Sequence, residues 1–378
     1  MPARIDRRAQ IANLLRLGAE WLDISPELYQ EAVSRYEEIC RWLHNPPSAL
    51  AVFEPDLYPQ GSFRLGTVIR PVLHEDEYDI DLVCLLFIDR DTVTKAQLKQ
   101  HVGDRLKAHD EYRGMLTEGK RCWTLNFPGK FHMDILPAIP DPDRPDDYLL
   151  ITDKGLLRWQ SSAPKPFSEW FYGRMRPVLL EAKRSYAMQI QASVDDVPDW
   201  RVKTPLQRAI QILKRHRDLY FRNDDNNCPA SVIISTLAAH AYENQPDVLS
   251  ALDAIATGMA SHIDQDDEGE FVILNPVNDD ENFGDRWKGK PDRPRRFFEW
   301  LKAVQKDLAD LESVEGLDAF ARQLEPALGK RLVQSAVTAY GNNLYKERDA
   351  GRLKVSAGTG TLGAAGSSVV LPHTFFGA

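Results

Sequence analysis

Cysteine is scarce: four residues, Cys40, Cys84, Cys122 and Cys228, stand far apart with no CxxC pair and no clustered histidine. That pattern argues against a disulfide framework and a zinc module, and it predicts reduced, mostly buried thiols. Long apolar runs are missing as well. No stretch approaches the roughly 20 residues that a membrane span needs, and the opening MPARIDRRAQIANLL enters an amphipathic pattern without a signal-peptide core. A cytoplasmic protein without membrane insertion is expected. Positive charge is in deficit, with 47 Lys and Arg against 56 Asp and Glu and a formal charge of −9. Broad non-specific nucleic-acid binding needs a basic surface, so that class is disfavoured, while a local basic patch stays open. No internal repeat of roughly 20–50 residues is present, which excludes solenoids and propellers.

What remains is an ordinary globular composition, 43% hydrophobic and 27% charged, in a chain of 378 residues. That length suits two domains or one bilobed body. From Ala9 to Leu43 apolar residues recur at helical intervals, broken at DISPE, where Ser25 and Pro26 read as N-cap and first helical residue. From Ala51 the pattern becomes strand-like. VLHEDEYDIDLVCLLFI ends in an extended run, TKAQLKQHVGDRLKAH reads as a helix, and RCWTLNF and FHMDILPAI read as strands around a Pro128-Gly129 turn. Thr204 and Pro205 restart helix, and the chain through Leu344 reads as mainly helical. The expected division is therefore α+β: residues 1–198 with N-terminal helices and a mixed core, 199–345 as a helical lobe, and 346–378 as a Gly/Ser-rich flexible tail. The tail holds a literal GxGxxG at Gly358, Gly360 and Gly363. Too little chain comes after it to build the βαβ unit that a dinucleotide fingerprint requires, so it reads as linker composition.

The informative stretch is YDIDL. In a strand Asp79 and Asp81 share one face while Ile80 and Leu82 take the other. Their Cβ atoms then lie about 6.5–7 Å apart, close enough for both carboxylates to bind one divalent ion. A pair alone is also what the solvent face of an edge strand shows. Two neighbours change the balance. Asp134, in HMDIL, supplies a third carboxylate on a second apolar strand, and Gly61-Ser62, in PQGSFRLGT, offers a backbone N–H and a hydroxyl to a phosphate. Phosphoryl transfer needs divalent ions about 3.5–4 Å apart and donors that hold the phosphates in line. Carboxylate and phosphate oxygens are the ligands magnesium prefers.

On these residues the sequence resembles the DNA polymerase β-like nucleotidyltransferases, with Gly-Ser, an acidic-hydrophobic-acidic triplet and a later acidic residue. More narrowly, QGSFRLGTVIRP with EYDIDLV after it resembles the bacterial cGAS/DncV-like nucleotidyltransferases (CD-NTases) of CBASS antiphage systems. LRWQSSAPKPFSEWF, TPLQRAIQILKRHRDLYF, PASVIISTLAAHAY and NPVNDDENFGDRW come in the family's order, so the likeness runs over roughly residues 50–345.

The resemblance implies a bilobed polymerase β-like core with a mixed sheet plus a helical C-terminal lobe, and a site in the cleft between them. It implies that Asp79, Asp81 and Asp134 are catalytic and hold two Mg2+ ions, with Mn2+ as a substitute. It implies that Gln60, Gly61 and Ser62 bind the donor triphosphate, and that Lys214 and Ser231 contact phosphates from the helical lobe. Lys214 equally suits a solvated helix face, and Ser231 equally suits the mere start of a helix after Pro229. The implied reaction joins NTPs, ATP or GTP among them, into a cyclic oligonucleotide with release of pyrophosphate. A separate effector would sense the product in phage defence.

Some relatives are conjugated at a small C-terminal residue by a ubiquitin-transfer-like partner, which here would act on Ala378. The alternatives are a relative that makes linear oligonucleotides or tails a nucleic acid, and a non-catalytic nucleotide-binding module. Three departures from the family stand out. The spacer from Ser62 to Asp79 exceeds the shortest family form and is expected to bulge or add a strand turn. The zinc insertion of the animal enzymes is absent, which with the negative charge argues against activation by double-stranded DNA. The position of their base-stacking tyrosine falls on Val232, so base recognition does not transfer.

Overall fold

The computed structural model describes residues 2–46, 48–73, 77–152, 155–197, 201–356, 360, 362–363 and 366–370. The chain opens with α1 (Pro2–Trp21) and α2 (Pro26–His44), and Ser25 caps α2 by accepting the Leu28 N–H at 3.2 Å. β1 (Asp56–Pro59), α3 (Gly61–Leu65) and β2 (Tyr78–Leu85) come next, then α4 (Lys95–Lys107), α5 (Asp110–Met115) and β3 (Leu116–Glu118). β4 (Trp123–Phe127) and β5 (Phe131–Pro140) flank the expected Pro128-Gly129 turn. β6 (Leu149–Thr152), β7 (Trp159–Ser162) and the long α6 (Pro164–Ile190) complete this part.

The strands form one mixed sheet in the order β1-β2-β5-β4-β3, with β6 and β7 extending from β5. Alternation divides its two faces. One face carries Ile80, Leu82 and Cys84 from β2, Trp123 and Leu125 from β4, and Met133 and Ile135 from β5. These pack on α2 and α4 through residues such as Ile39, Leu43, Leu98 and Val102. The other face is split along the strands. Val83, Leu85, Leu136 and Ala138 form a small apolar patch toward the C-terminal ends of β2 and β5, and the polar residues that precede them stay uncovered by that patch.

The helical part consists of α7 (Pro205–Tyr220), α8 (Ser231–Ala241), α9 (Val248–Gly258), α10 (Asp292–Ser313), α11 (Leu317–Leu328) and α12 (Lys330–Asp349). α7 starts as its sequence requires, with Thr204 and Gln207 exchanging hydrogen bonds in a capping box. Residues Leu206 to His216 are all buried, which makes α7 the central rod of its lobe. The lobe's core also takes Ile11, Leu14, Leu15 and Leu22 from the α1 region and Phe167, Phe171 and Met175 from α6. Sequence order and packing order therefore differ: α1 and α6 precede residue 198 but pack with the helices of the C-terminal lobe.

Between α9 and α10 lie two short hairpins, β8 (Asp264–Gln265) with β9 (Phe271–Val272) and β10 (Leu274–Asn275) with β11 (Asn278–Asn282). Helical periodicity gave no sign of them. α12 continues past residue 345 to Asp349, and a small sheet of β12 (Lys354–Val355), β13 (Leu362–Gly363) and β14 (Ser368–Val369) comes after it. Ala378 lies outside the described residues. Among the described residues no helix is long and apolar enough to cross a membrane, and all four cysteines are free.

Among the described residues, two sets of hydrogen bonds between the lobes bear on the site. On one side Asn278 donates to the Ser161 hydroxyl at 3.2 Å, and the Tyr148 hydroxyl donates to the Val277 carbonyl. On the other, the segment after α3 crosses to α7. Gln207 donates to the Leu65 carbonyl at 2.9 Å, Gln211 to that of Val68 at 2.8 Å and Lys214 to that of Thr67 at 2.9 Å. Arg215 reaches the Arg70 carbonyl. This crossing is the structure's use of the long Ser62–Asp79 spacer. Its first part is the helix α3, and residues 65–71 form a strap whose carbonyls are held by the buried polar stripe of α7, where a bulge or strand turn was expected.

Candidate active site

β2 and β5 run parallel, with Asp81 directly opposite Asp134 and Asp79 opposite His132. This register places all three aspartates on the polar half of one sheet face. Each offers a carboxylate oxygen within 4.8 Å of those of the other two. Asp81 sits deepest, and its pKa is pushed up to about 7, first by burial and then by the charges of Asp79 and Asp134, with Lys214 and His132 opposing. Three acids this close repel unless a cation enters. A divalent ion with oxygen preference fits this donor set, because it supplies the positive charge that burial and crowding leave short at Asp81.

Two cross-strand neighbours hold the outer carboxylates. His132 Nε2 lies 3.3 Å from Asp79 Oδ1, and this contact raises the imidazole pKa against its burial. Thr124, on β4 and opposite Asp134 in the β4–β5 ladder, donates its hydroxyl to Asp134 Oδ1 at 2.5 Å. Cys122, just before β4, has its thiol pKa raised by burial and then by the Asp134 charge. None of these three stands out in the sequence. The available signal in β4 is alternation, since Thr124 and Asn126 interleave with the buried Trp123, Leu125 and Phe127 and so share the aspartates' face.

The Gln60-Gly61-Ser62 turn abuts the same site. The Gln60 N–H donates to the Asp81 carbonyl at 2.9 Å, which anchors the turn to β2. Gly61 has a φ of +57°, and a Cβ there would lie 2.6 Å from Asp81 Oδ2. Only glycine fits both the left-handed backbone and the close approach. Ser62 is in the first turn of α3, half-buried, and α3 is fixed from behind by Arg64 Nε donating to Ser168 Oγ at 2.6 Å.

Lys214 and Ser231 take different places. Lys214 is buried, its pKa lowered to about 7 mainly by burial and then by Arg217, with Asp218, Asp81 and Asp79 opposing. Its ammonium is bonded to the strap at Thr67, so it reaches the site from the α7 side as part of the interlobe joint. Ser231, first residue of α8, accepts a hydrogen bond from Arg217 Nη1 at 2.9 Å. The structure thus brings Asp79, Asp81, Asp134, Gln60, Gly61 and Ser62 together, lets the Lys214 charge act on Asp79 and Asp81 from the α7 side and ties Ser231 to Arg217.

Comparison with known proteins agrees with this geometry. Residues 12–174 match the Second Messenger Oligonucleotide or Dinucleotide Synthetase (SMODS) domain. The chain is 28% identical over 375 residues to a c-di-GMP synthase of Roseivirga ehrenbergii, covering 98% of each. It is 24% identical over 345 residues to the cyclic dinucleotide synthase CdnG of Bradyrhizobium diazoefficiens, covering 86% of this chain and 82% of that one. The fold matches the structure of the CdnG CD-NTase in complex with GTP, with a TM-score of 0.72 at 24% identity over 88% of this chain and 99% of that one. Residues 12–174 thus carry the features of a SMODS domain, and the chain as a whole is similar in sequence and fold to the bacterial cGAS/DncV-like nucleotidyltransferases, the CD-NTases.

Proposed function

We propose that this enzyme joins nucleoside triphosphates into a cyclic dinucleotide, with GTP as at least one substrate. A ribose hydroxyl of one nucleotide attacks the α-phosphorus of another, its proton passes to a nearby base, and pyrophosphate leaves. A second such step closes the ring. The observation that carries this reading is the opposition of Asp81 to Asp134 across β2 and β5 with Gly61 packed against Asp81. In this reading it combines a divalent-cation site with a turn that donates to phosphates. The two curated relatives, a c-di-GMP synthase and a cyclic dinucleotide synthase, support the product class and the choice of GTP.

In this reading Asp79, Asp81 and Asp134 hold Mg2+, or Mn2+ in its place. When bound, such ions neutralise the phosphates and lower the pKa of the attacking hydroxyl. The Gln60-Gly61-Ser62 turn supplies N–H and hydroxyl donors to the outer phosphates. Lys214 keeps the strap, and hence this turn, in register with the helical lobe, and it adds positive potential from behind. Ser231 with Arg217 offers a further polar contact from α8. A cytoplasmic location, where nucleoside triphosphates are abundant, fits this role. The product would be a second messenger for a separate effector in phage defence.

With mixed NTPs and Mg2+, pyrophosphate release is expected from the wild type and not from the folded Asp79→Ala/Asp81→Ala variant. Undiminished release from that variant would sink the assignment. Ala378 is the proposed conjugation point for a ubiquitin-transfer-like partner. Co-expression with such a partner should yield an adduct that disappears when the last three residues are deleted, and an adduct that persists would refute it.

A further inference from the structure

The sheet face that carries the triad includes a third strand, β4, beside β5. Its residue Thr124 alternates with the buried Trp123 and Leu125 and so faces the other way, toward Asp134. Thr124 stands directly opposite Asp134, and its hydroxyl proton is given to Oδ1 at 2.5 Å. A carboxylate on a strand can otherwise rotate about its Cβ–Cγ bond. A fixed hydrogen bond on Oδ1 limits that rotation in a carboxylate that offers an oxygen within 4.8 Å of those of Asp79 and Asp81.

The chemistry of the donor matters. A hydroxyl or a thiol orients the carboxylate without bringing a positive charge that would compete with an incoming cation. Asp79 differs, since its neighbour is an imidazole whose charged form it favours. Threonine also suits the strand, because its branched Cβ fits an extended backbone while its hydroxyl reaches across. Valine would fill the same space without the donor.

We propose that Thr124 is a positioning residue for the third metal ligand, holding Asp134 in its cation-binding orientation before any nucleotide arrives. The proposal rests on the triad being a divalent-cation site for nucleotidyl transfer. Hydrogen-bond partners of metal ligands typically change metal affinity or activity by about 10–100-fold when removed.

The test compares the wild type with Thr124→Val, Thr124→Ala and Thr124→Ser. Mn2+ binding to nucleotide-free protein is measured by electron paramagnetic resonance, and turnover is measured against Mg2+ concentration. Thr124→Val and Thr124→Ala are expected to bind Mn2+ about 10–100-fold more weakly. They should need correspondingly more Mg2+ for half-maximal turnover, with KM for NTP at saturating Mg2+ unchanged. Thr124→Ser should restore both. Wild-type Mn2+ affinity in Thr124→Val overturns the proposal, as does a Thr124→Ser protein as impaired as Thr124→Val, which would assign the effect to methyl packing. Should valine prevent folding, judged by thermal melting in EDTA, the alanine and serine pair decides the matter alone. A wild-type protein that neither binds Mn2+ nor releases pyrophosphate refutes the underlying reading of the triad. An active wild type with unchanged variants removes only Thr124's role.

Discussion

Asp81→Asn is expected to cut turnover by about 10³-fold or more while making the metal-free protein more stable above pH 7. The two effects share a cause. Asp81 has a folded pKa of about 7 against an ordinary value of 3.8, because burial and the charges of Asp79 and Asp134 disfavour its ionised form. A carboxyl group whose pKa is raised by folding binds more protons in the folded chain than in the unfolded one. Its ionisation therefore costs the native state progressively more as pH rises from about 4 to about 7, and the cost is constant above that. Asparagine never ionises and escapes it. The melting temperature of Asp81→Asn should exceed that of the wild type by several degrees at pH 8 in EDTA, with the gap narrowing toward pH 4. Mg2+ should raise the wild type's melting temperature and leave the variant's nearly unchanged. A variant less stable than the wild type at pH 8 in EDTA would show that the triad is not an electrostatically strained site.

Gly61→Ala is expected to lose both stability and activity. Its backbone sits at φ +57°, where a Cβ costs about 1–2 kcal/mol. That Cβ would also press on Asp81 Oδ2 at 2.6 Å, so either the turn or the carboxylate must move. A displacement near 1 Å at a phosphate-positioning turn can cost about 10²-fold in rate. Gly129→Ala is the matching control. Gly129 has φ +73° in the β4–β5 turn, and a Cβ there would meet no atom within 4 Å. It should show a similar backbone cost in urea unfolding with kcat unchanged. Equal rates for both variants would separate Gly61 from the site.

The three aspartates were legible in the sequence because a strand converts spacing into direction. YDIDL and HMDIL each place acids opposite a run of apolar side chains, and those apolar residues form the core under β2 and β5. The caps at Ser25 and Thr204 were legible because each is set by residues at most three positions away. What escaped depends on partners distant in sequence. Lys214 suits a solvated helix face as readily as a phosphate contact, yet with Gln207 and Gln211 it is buried against strap carbonyls some 140 positions earlier. Thr124 and His132 are ordinary strand residues until the register sets them opposite Asp134 and Asp79. By its place in the sequence α1 groups with the α+β core, and only its packing shows that it belongs to the helical core.

The most direct test is the identity of the product formed by purified protein from GTP, with and without ATP, in the presence of Mg2+. The expected result is a phosphatase-resistant compound with the mass of two nucleoside monophosphates less two waters, accompanied by two pyrophosphates per molecule. A linear product that keeps a phosphatase-sensitive 5′-triphosphate, or NTPs left unconsumed, would contradict it.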